Sequence, residues 1–173
     1  MAELLDYLHS VPDFPKPGIG FRDICPLLAN PDAFNRALTL MAEQVSAWPF
    51  ERIVGVESRG LIFASALATR LHRGLVLVRK PGKLPPPTLA EKYALEYGQD
   101  ALEMQAHILP RGSTVLLVDD VIATGGTLLA AARLVEKCDC RVAGVLALLS
   151  LEQLGGAQRL RAAGHQVASA LKT

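Results

Sequence analysis

Cysteine is scarce in this chain. Of 173 residues only Cys25, Cys138 and Cys140 are cysteine, an odd number that gives no disulfide framework and fits a reducing cytoplasm. Cys138 and Cys140 alone make a poor metal site, since a structural zinc normally takes four ligands. An excess of either charge is missing too. The net charge is +1, which argues against a general nucleic-acid surface or a polybasic membrane surface, so any affinity for phosphate has to come from local clusters. No run reaches the ~20 apolar residues of a membrane span, and no basic segment precedes an apolar core at the N-terminus, so a soluble, unsecreted protein is expected. There is no internal repeat and no glycine fingerprint of the dinucleotide type. No P-loop lysine follows Gly125 and Gly126, which removes the usual dehydrogenase and nucleotide hydrolase readings. His9, His72, His107 and His165 have no spaced partners that suggest a triad or a metal cluster, and surface or packing roles are expected of them.

What is present centres on Val115 to Thr127, VLLVDDVIATGGT. Val115, Leu116, Leu117 and Val118 show no alternation, as in a strand covered on both faces of a parallel sheet. Asp119 and Asp120 are expected where that strand ends. Ala123, Thr124, Gly125, Gly126 and Thr127 then open a helix rich in Ala and Leu. Small residues there let backbone N–H groups approach a ligand closely, and a helix N-terminus favours an anion. Two unit charges ~4 Å apart interact by roughly 4 kcal/mol at an effective dielectric of ~20, so the aspartates require compensation. Ribose hydroxyls or a divalent cation supply it; the alternative is an exposed acidic turn. The stretch calls for a ligand carrying both hydroxyls and phosphate.

The length suits one domain with a substantial core, and half the residues are hydrophobic and a fifth charged, as in a globular protein. Ala2 to Leu8 is a short helix by pattern, followed by an extended arm in which Pro12, Pro15, Pro17, Gly18 and Gly20 forbid regular structure up to Phe21. Phe21 and Arg22 either line a flat, partly apolar pocket or anchor the arm. Asn30 and Pro31 read as N-cap and first residue of a helix continuing toward Trp48. Arg52 to Val56 reads as a strand, and Glu57, Ser58, Arg59 and Gly60 as a turn into the helix Leu61 to Leu71. That turn is either a second anion site or an ordinary connection with an incidental arginine. After the strand Leu75 to Val78, Arg79, Lys80 and Lys83 share one loop with four prolines, either solvated or a lid over an anionic substrate. Tyr93 to Tyr97 and Ala101 to Gln105, with Gly98 at the turn, resemble a two-stranded ribbon. Arg141 to Leu149, Gly155 to Ala163 and Gln166 to Ala170 follow as strand, helix and strand. The order predicts an α/β fold: one doubly wound, mostly parallel sheet with flanking helices, a short N-terminal arm or hood, and a flexible lid with a ribbon.

VLLVDDVIATGGT resembles the phosphoribosyl-pyrophosphate motif of type I phosphoribosyltransferases. PDFPKPGIGFRDI, GVESRG, VRKPGKLP and YALEYG are similar, in the same order, to segments of the adenine-specific branch of that family, and the resemblance covers nearly the whole chain. It implies a single domain over residues 1–173, with 1–30 as an arm contributing to a base pocket and 79–105 as lid and ribbon. It also implies a glycosyltransferase of purine salvage, moving 5-phosphoribosyl from phosphoribosyl pyrophosphate to adenine with Mg²⁺ and forming AMP and pyrophosphate. By resemblance Asp119 and Asp120 hold the ribose hydroxyls, and Ala123, Thr124, Gly125, Gly126 and Thr127 cradle the 5′-phosphate. Ser58, Arg59, Arg79, Lys80 and Lys83 serve pyrophosphate, the lid cations acting from their own or a neighbouring subunit. Phe21 and Arg22 line the adenine pocket, and Glu96 takes the purine proton if it comes within hydrogen-bond reach. Mg²⁺ is expected on substrate oxygens and water, with no all-protein cage. The expected assembly is a cytoplasmic homodimer without nucleic-acid or membrane partners. Pro86 stands where the family more often has glycine, so a stiffer lid is expected. The rival readings are a transferase for a 6-oxopurine and a non-catalytic regulator sensing phosphoribosyl pyrophosphate.

Overall fold

The computed structural model describes residues 3–14, 16–17, 20–95 and 98–173. Glu96, the expected proton acceptor, lies outside them. The chain divides into two units, Met1–Leu40 and Met41–Thr173.

In the first unit the arm is more regular than its prolines suggest. A 3-10 turn at Leu4–Tyr7 leads into β1 (His9–Val11), which pairs antiparallel with β2 (Phe21–Asp23). The prolines fall between the two strands, where no ladder N–H is needed, so the hairpin escapes their penalty. The five-residue helix α1 (Cys25–Ala29) is too short to leave a periodic signal. Helix α2 (Pro31–Gln44) starts where expected: Asn30 Oδ1 accepts the N–H groups of Asp32 at 3.1 Å and Ala33 at 2.9 Å, satisfying donors that a helix start leaves open. It ends at Gln44, short of Trp48.

The second unit is built from β3 (Arg52–Val56), α3 (Gly60–Arg70), β4 (Gly74–Val78), β5 (Thr88–Leu95), β6 (Gly98–Gln105), β7 (Thr114–Ile122), α4 (Gly126–Glu136), β8 (Arg141–Ser150), α5 (Gly156–Ala162) and β9 (Val167–Lys172). Five strands form one parallel sheet in the order β4-β3-β7-β8-β9. Val115, Leu116, Leu117 and Val118 of the central strand β7 are fully buried, which accounts for their unbroken hydrophobicity. Helix α4 buries Leu128, Ala130, Ala131, Leu134 and Val135, and each large aliphatic among them contributes about 1.5–3 kcal/mol by leaving water.

From β3 the chain winds outward to β4, and from its neighbour β7 it winds the other way to β8. Strand order therefore reverses between β3 and β7, and the crevice beyond their C-terminal ends is where open α/β sheets take ligands. The ribbon β5–β6 begins at Thr88, earlier than the sequence suggested. Its Tyr93, Leu102 and Met104 enter the core, and Glu91 ties it to α4 through Arg133 at 3.2 Å and Lys137 at 2.8 Å.

Candidate active site

The aspartates do not sit where the strand ends. They were expected at a strand end, yet β7 continues through them to Ile122, because Asp119, Val121 and Ile122 keep their ladder with Ala147, Leu149 and Ser150 of β8. Asp119 is 8% and Asp120 6% exposed, so an exposed acidic turn is excluded.

The two carboxyls are compensated unequally. Asp120 Oδ2 lies 2.6 Å from Arg59 Nε, an ion pair too poorly aligned to be a hydrogen bond. Asp119 Oδ1 accepts the Asp120 N–H at 2.8 Å. Burial, and then the charge of Asp120 beside it, push the Asp119 carboxyl well above the usual carboxylate range. A buried carboxyl pair of this kind accepts hydrogen bonds from neutral hydroxyls more readily than it tolerates another anion.

Beyond them the chain turns around a cavity of about 120 Å³ lined by Asp119, Ala123, Thr124, Gly125, Gly126 and Thr127 among others. Gly125 caps α4 with φ at +79°, a region where glycine is at ease. The turn has a floor. The N–H of Gly156, at the start of α5, donates to Ala123 O at 3.0 Å, and a Cβ on Gly125 would sit 2.9 Å from Gly156 O. The start of α4 thus borders this small cavity, and the N–H groups that a helix start leaves open suit an anion there.

The turn after β3 packs beside this one. A Cβ on Gly60 would lie 2.5 Å from Asp119 Oδ1 and 2.8 Å from Asp119 Cα, so only glycine lets the start of α3 approach β7 so closely. The Glu57–Ser58 peptide is cis. Ser58 is exposed, and Arg59 reaches Asp120.

The cations after β4 are not loose. Glu57 Oε2 lies 3.2 Å from Arg79 Nε and accepts the Lys80 N–H at 2.7 Å, while Oε1 takes Lys83 Nζ at 2.5 Å. Burial opposes the charge on Glu57, but hydrogen bonds from Lys83, the Lys80 N–H and Arg79 outweigh it and hold the carboxyl down at about 2. The Lys80 ammonium goes elsewhere, to Asp100 and to Tyr93 Oη. Burial works against its charge, yet these partners raise its pKa above the ordinary lysine value.

The structure thus brings Arg59, Asp119, Asp120 and the 123–127 loop together, gathers Arg79 and Lys83 on Glu57 next to Ser58 in the chain, and sends Lys80 to the ribbon. Phe21 and Arg22 belong to β2 of the first unit, where the Phe21 ring meets Phe14 edge-on at 5.0 Å. Sequence reasoning missed Glu57, Asp100 and Gly156. Glu57 stands next to Ser58, but the cations it binds are 22 to 26 residues away, so no local signal gives its role. Among the described residues, no group of three or more His, Cys, Asp or Glu side chains is arranged to hold a metal ion, and no helix is long and apolar enough to cross a membrane.

A family model for the phosphoribosyl transferase domain matches residues 27–162. The chain belongs to the phosphoribosyltransferase family. Within it, the adenine phosphoribosyltransferase of Polynucleobacter necessarius is 51% identical over 170 residues, covering 98% of this chain and 99% of that one. The crystal structure of adenine phosphoribosyltransferase from Thermoanaerobacter pseudethanolicus is similar at a TM-score of 0.95 and 41% identity over 98% of both chains. That of the Saccharomyces cerevisiae enzyme, complexed with an imino-altritol bisphosphate and adenine, has a TM-score of 0.89 and 38% identity over 97% of this chain and 96% of that one. The motif resemblance to the adenine-specific branch is borne out along nearly the whole chain, and with it the parallel α/β fold.

Proposed function

We infer that this phosphoribosyltransferase moves the 5-phosphoribosyl group from phosphoribosyl pyrophosphate to adenine, releasing AMP and pyrophosphate, a step of purine salvage. The observation that carries the reading is the buried Asp119–Asp120 pair running directly into the glycine loop at the switch point of the sheet. Asp119 and Asp120 accept the ribose hydroxyls. Ala123 to Thr127 receive the 5′-phosphate on backbone N–H groups and on the positive end of α4. Ser58, Arg59, Arg79 and Lys83 take the pyrophosphate, with Lys80 joining from its place beside Asp100. Phe21, Arg22 and Glu96 are assigned to adenine by resemblance, as is the treatment of residues 1–173 as one catalytic domain.

In the reaction a purine ring nitrogen attacks the anomeric carbon while the bond from that carbon to pyrophosphate breaks, and the bonding pair leaves with pyrophosphate. The sugar passes through oxocarbenium character, so the protein's work is positioning and charge stabilisation. The aspartates fix the sugar, the cations stabilise the leaving group, and Glu96 accepts the proton lost by the purine. Two buried carboxyls, one already facing Arg59, suit a cation held mainly by substrate oxygens and water. Mg²⁺ bound in that way would be steadied by Asp119 and Asp120 and would offset charge on the diphosphate.

Leu75 and Leu77 on the edge strand β4 and Ile62 on α3 are apolar and between 36% and 38% exposed. These exposed apolar residues support a homodimer. Three cysteines, all free, support a reducing cytoplasm as its location.

The test is AMP formation from phosphoribosyl pyrophosphate with adenine, hypoxanthine, guanine and xanthine in turn. Adenine is expected to be preferred, and preference for a 6-oxopurine would overturn the assignment. Replacing Asp119 and Asp120 together by asparagine is expected to lower turnover by at least about 100-fold with the fold intact. Glu96→Gln is expected to lower kcat while phosphoribosyl pyrophosphate still binds.

A further inference from the structure

Glu57 has no part in the reaction as assigned, yet its carboxylate is engaged by four donors. Its Oε1 receives Lys83 Nζ at 2.5 Å and Arg79 Nη2 at 3.5 Å, and its Oε2 receives the Lys80 N–H at 2.7 Å and Arg79 Nε at 3.2 Å. Four donors saturate a carboxylate. The anion is also the fixed partner: its side chain is 6% exposed, against 31% for Arg79 and 48% for Lys83.

We propose that Glu57 is a positioning residue that stands in for pyrophosphate, gathering Arg79 and Lys83 beside the Ser58–Arg59 turn and yielding them to the diphosphate when it binds. The proposal rests on the reading that these four residues hold the leaving group. The backbone makes such an exchange local. Arg79 is fixed by reciprocal bonds, its N–H to Glu103 O at 2.9 Å and the Glu103 N–H to Arg79 O at 2.7 Å. The Gly82 N–H donates to Glu103 Oε2 at 3.1 Å. The Arg79 and Lys83 side chains swing, and Arg79 also gives up the weak bond from its Nη1 to Lys83 O at 3.4 Å. The Lys80 N–H bond to Glu57 comes from the backbone and stays with the turn, so the charged contacts are the part that changes partners.

Two cations on one carboxylate leave a net positive charge, and a diphosphate carries more negative charge and more acceptor oxygens than Glu57. Binding then proceeds by replacing one anion with another. Release is the reverse: Glu57 recaptures Arg79 and Lys83 as pyrophosphate departs, which lowers the barrier to product loss. The site avoids presenting unpaired cations at either stage.

Glu57→Gln keeps the shape and an acceptor for the Lys80 N–H but removes the competing charge. Calorimetric titration with Mg²⁺ pyrophosphate is expected to show about tenfold tighter binding, the effect of losing one charge-assisted competitor. KM for phosphoribosyl pyrophosphate and kcat are expected to fall together while KM for adenine stays unchanged. Glu57→Asp, which restores the charge, should return the pyrophosphate affinity toward that of the natural protein; a merely structural carboxylate would not give this pattern. Pyrophosphate affinity unchanged or weakened in a folded Glu57→Gln protein would overturn the exchange. Arg79→Ala and Lys83→Ala separate the two levels. If neither weakens pyrophosphate binding, the leaving-group assignment falls and the exchange with it; if they weaken it and Glu57→Gln does not tighten it, the exchange alone falls. Should Glu57→Gln not fold, nitrogen NMR of the Lys83 ammonium in the natural protein gives the answer. Its signal is expected to move as Mg²⁺ pyrophosphate is added, and a fixed signal at saturation would overturn the proposal.

Discussion

Asp120 faces the Arg59 guanidinium at 2.6 Å, while Asp119, one residue earlier on the same strand, is left beside its neighbour's charge and is driven toward its neutral form. The strain of placing two carboxyls in the sheet is therefore concentrated on one of them. Asp119→Asn is expected to raise stability by about 1 kcal/mol near neutral pH, because the amide keeps an acceptor for the Asp120 N–H and removes an ionisable group from a dry site. Asp120→Asn is expected to lower it by about 1–3 kcal/mol, because Arg59 loses its partner. Thermal melts check the opposite signs, and both variants should lose AMP formation. The folded-state pKa of Asp119 lies above its unfolded value, so the native state binds more protons and this group's contribution falls as pH rises above 3.8. Asp119→Asn should flatten that part of the profile.

Glu57 titrates in the opposite sense. Its pKa is lowered from 4.5 to about 2, so the native state binds fewer protons than the unfolded one. Its contribution is complete above pH 4.5 and is lost as pH falls toward 2. Urea unfolding across this acid range should show a steeper loss of stability in the natural protein than in Glu57→Gln. Parallel curves would count against the ion pairs with Arg79 and Lys83.

Gly156→Ala puts a methyl group against Ala123 O and should displace the loop floor at a cost of about 1–3 kcal/mol. Steady-state kinetics are expected to show KM for phosphoribosyl pyrophosphate rising severalfold with little change in KM for adenine. Equal effects on both would place Gly156 outside the phosphate half of the site.

Glu91 is the clasp between ribbon and α4, since it binds both Arg133 and Lys137. Those cations are 60% and 45% exposed, and solvent discounts their worth, so Glu91→Gln should cost only about 0.5–1 kcal/mol of global stability. Hydrogen exchange should nevertheless quicken in Thr88–Leu95 and Gly98–Gln105 well before the rest of the sheet, a local opening rather than global unfolding.

Much of this architecture was legible because its causes are local. Four unbroken aliphatics at Val115 gave the central strand, Arg52–Val56 emerged with the bounds observed, and Asn30 before Pro31 marked the helix start. Asp119, Asp120 and the 123–127 loop were readable for the same reason, since one short segment delivers them all. Pairing across distance was not readable. Aspartate is a poor strand former, so the sequence stopped β7 too early, whereas the ladder with β8 carries it to Ile122. The β1–β2 hairpin was hidden by the prolines between its strands, and Glu57 by the separation from the cations it binds.

That β7 runs straight through its carboxylates makes the strand tolerant of one kind of change and intolerant of another. Side chains alternate faces with a period of two, so a single residue inserted or deleted between Val115 and Asp120 would send both aspartates to the wrong sides of the sheet while leaving composition almost untouched. Exchanging one aliphatic for another along Val115–Val118 should cost little by comparison, since it leaves the alternation of faces intact.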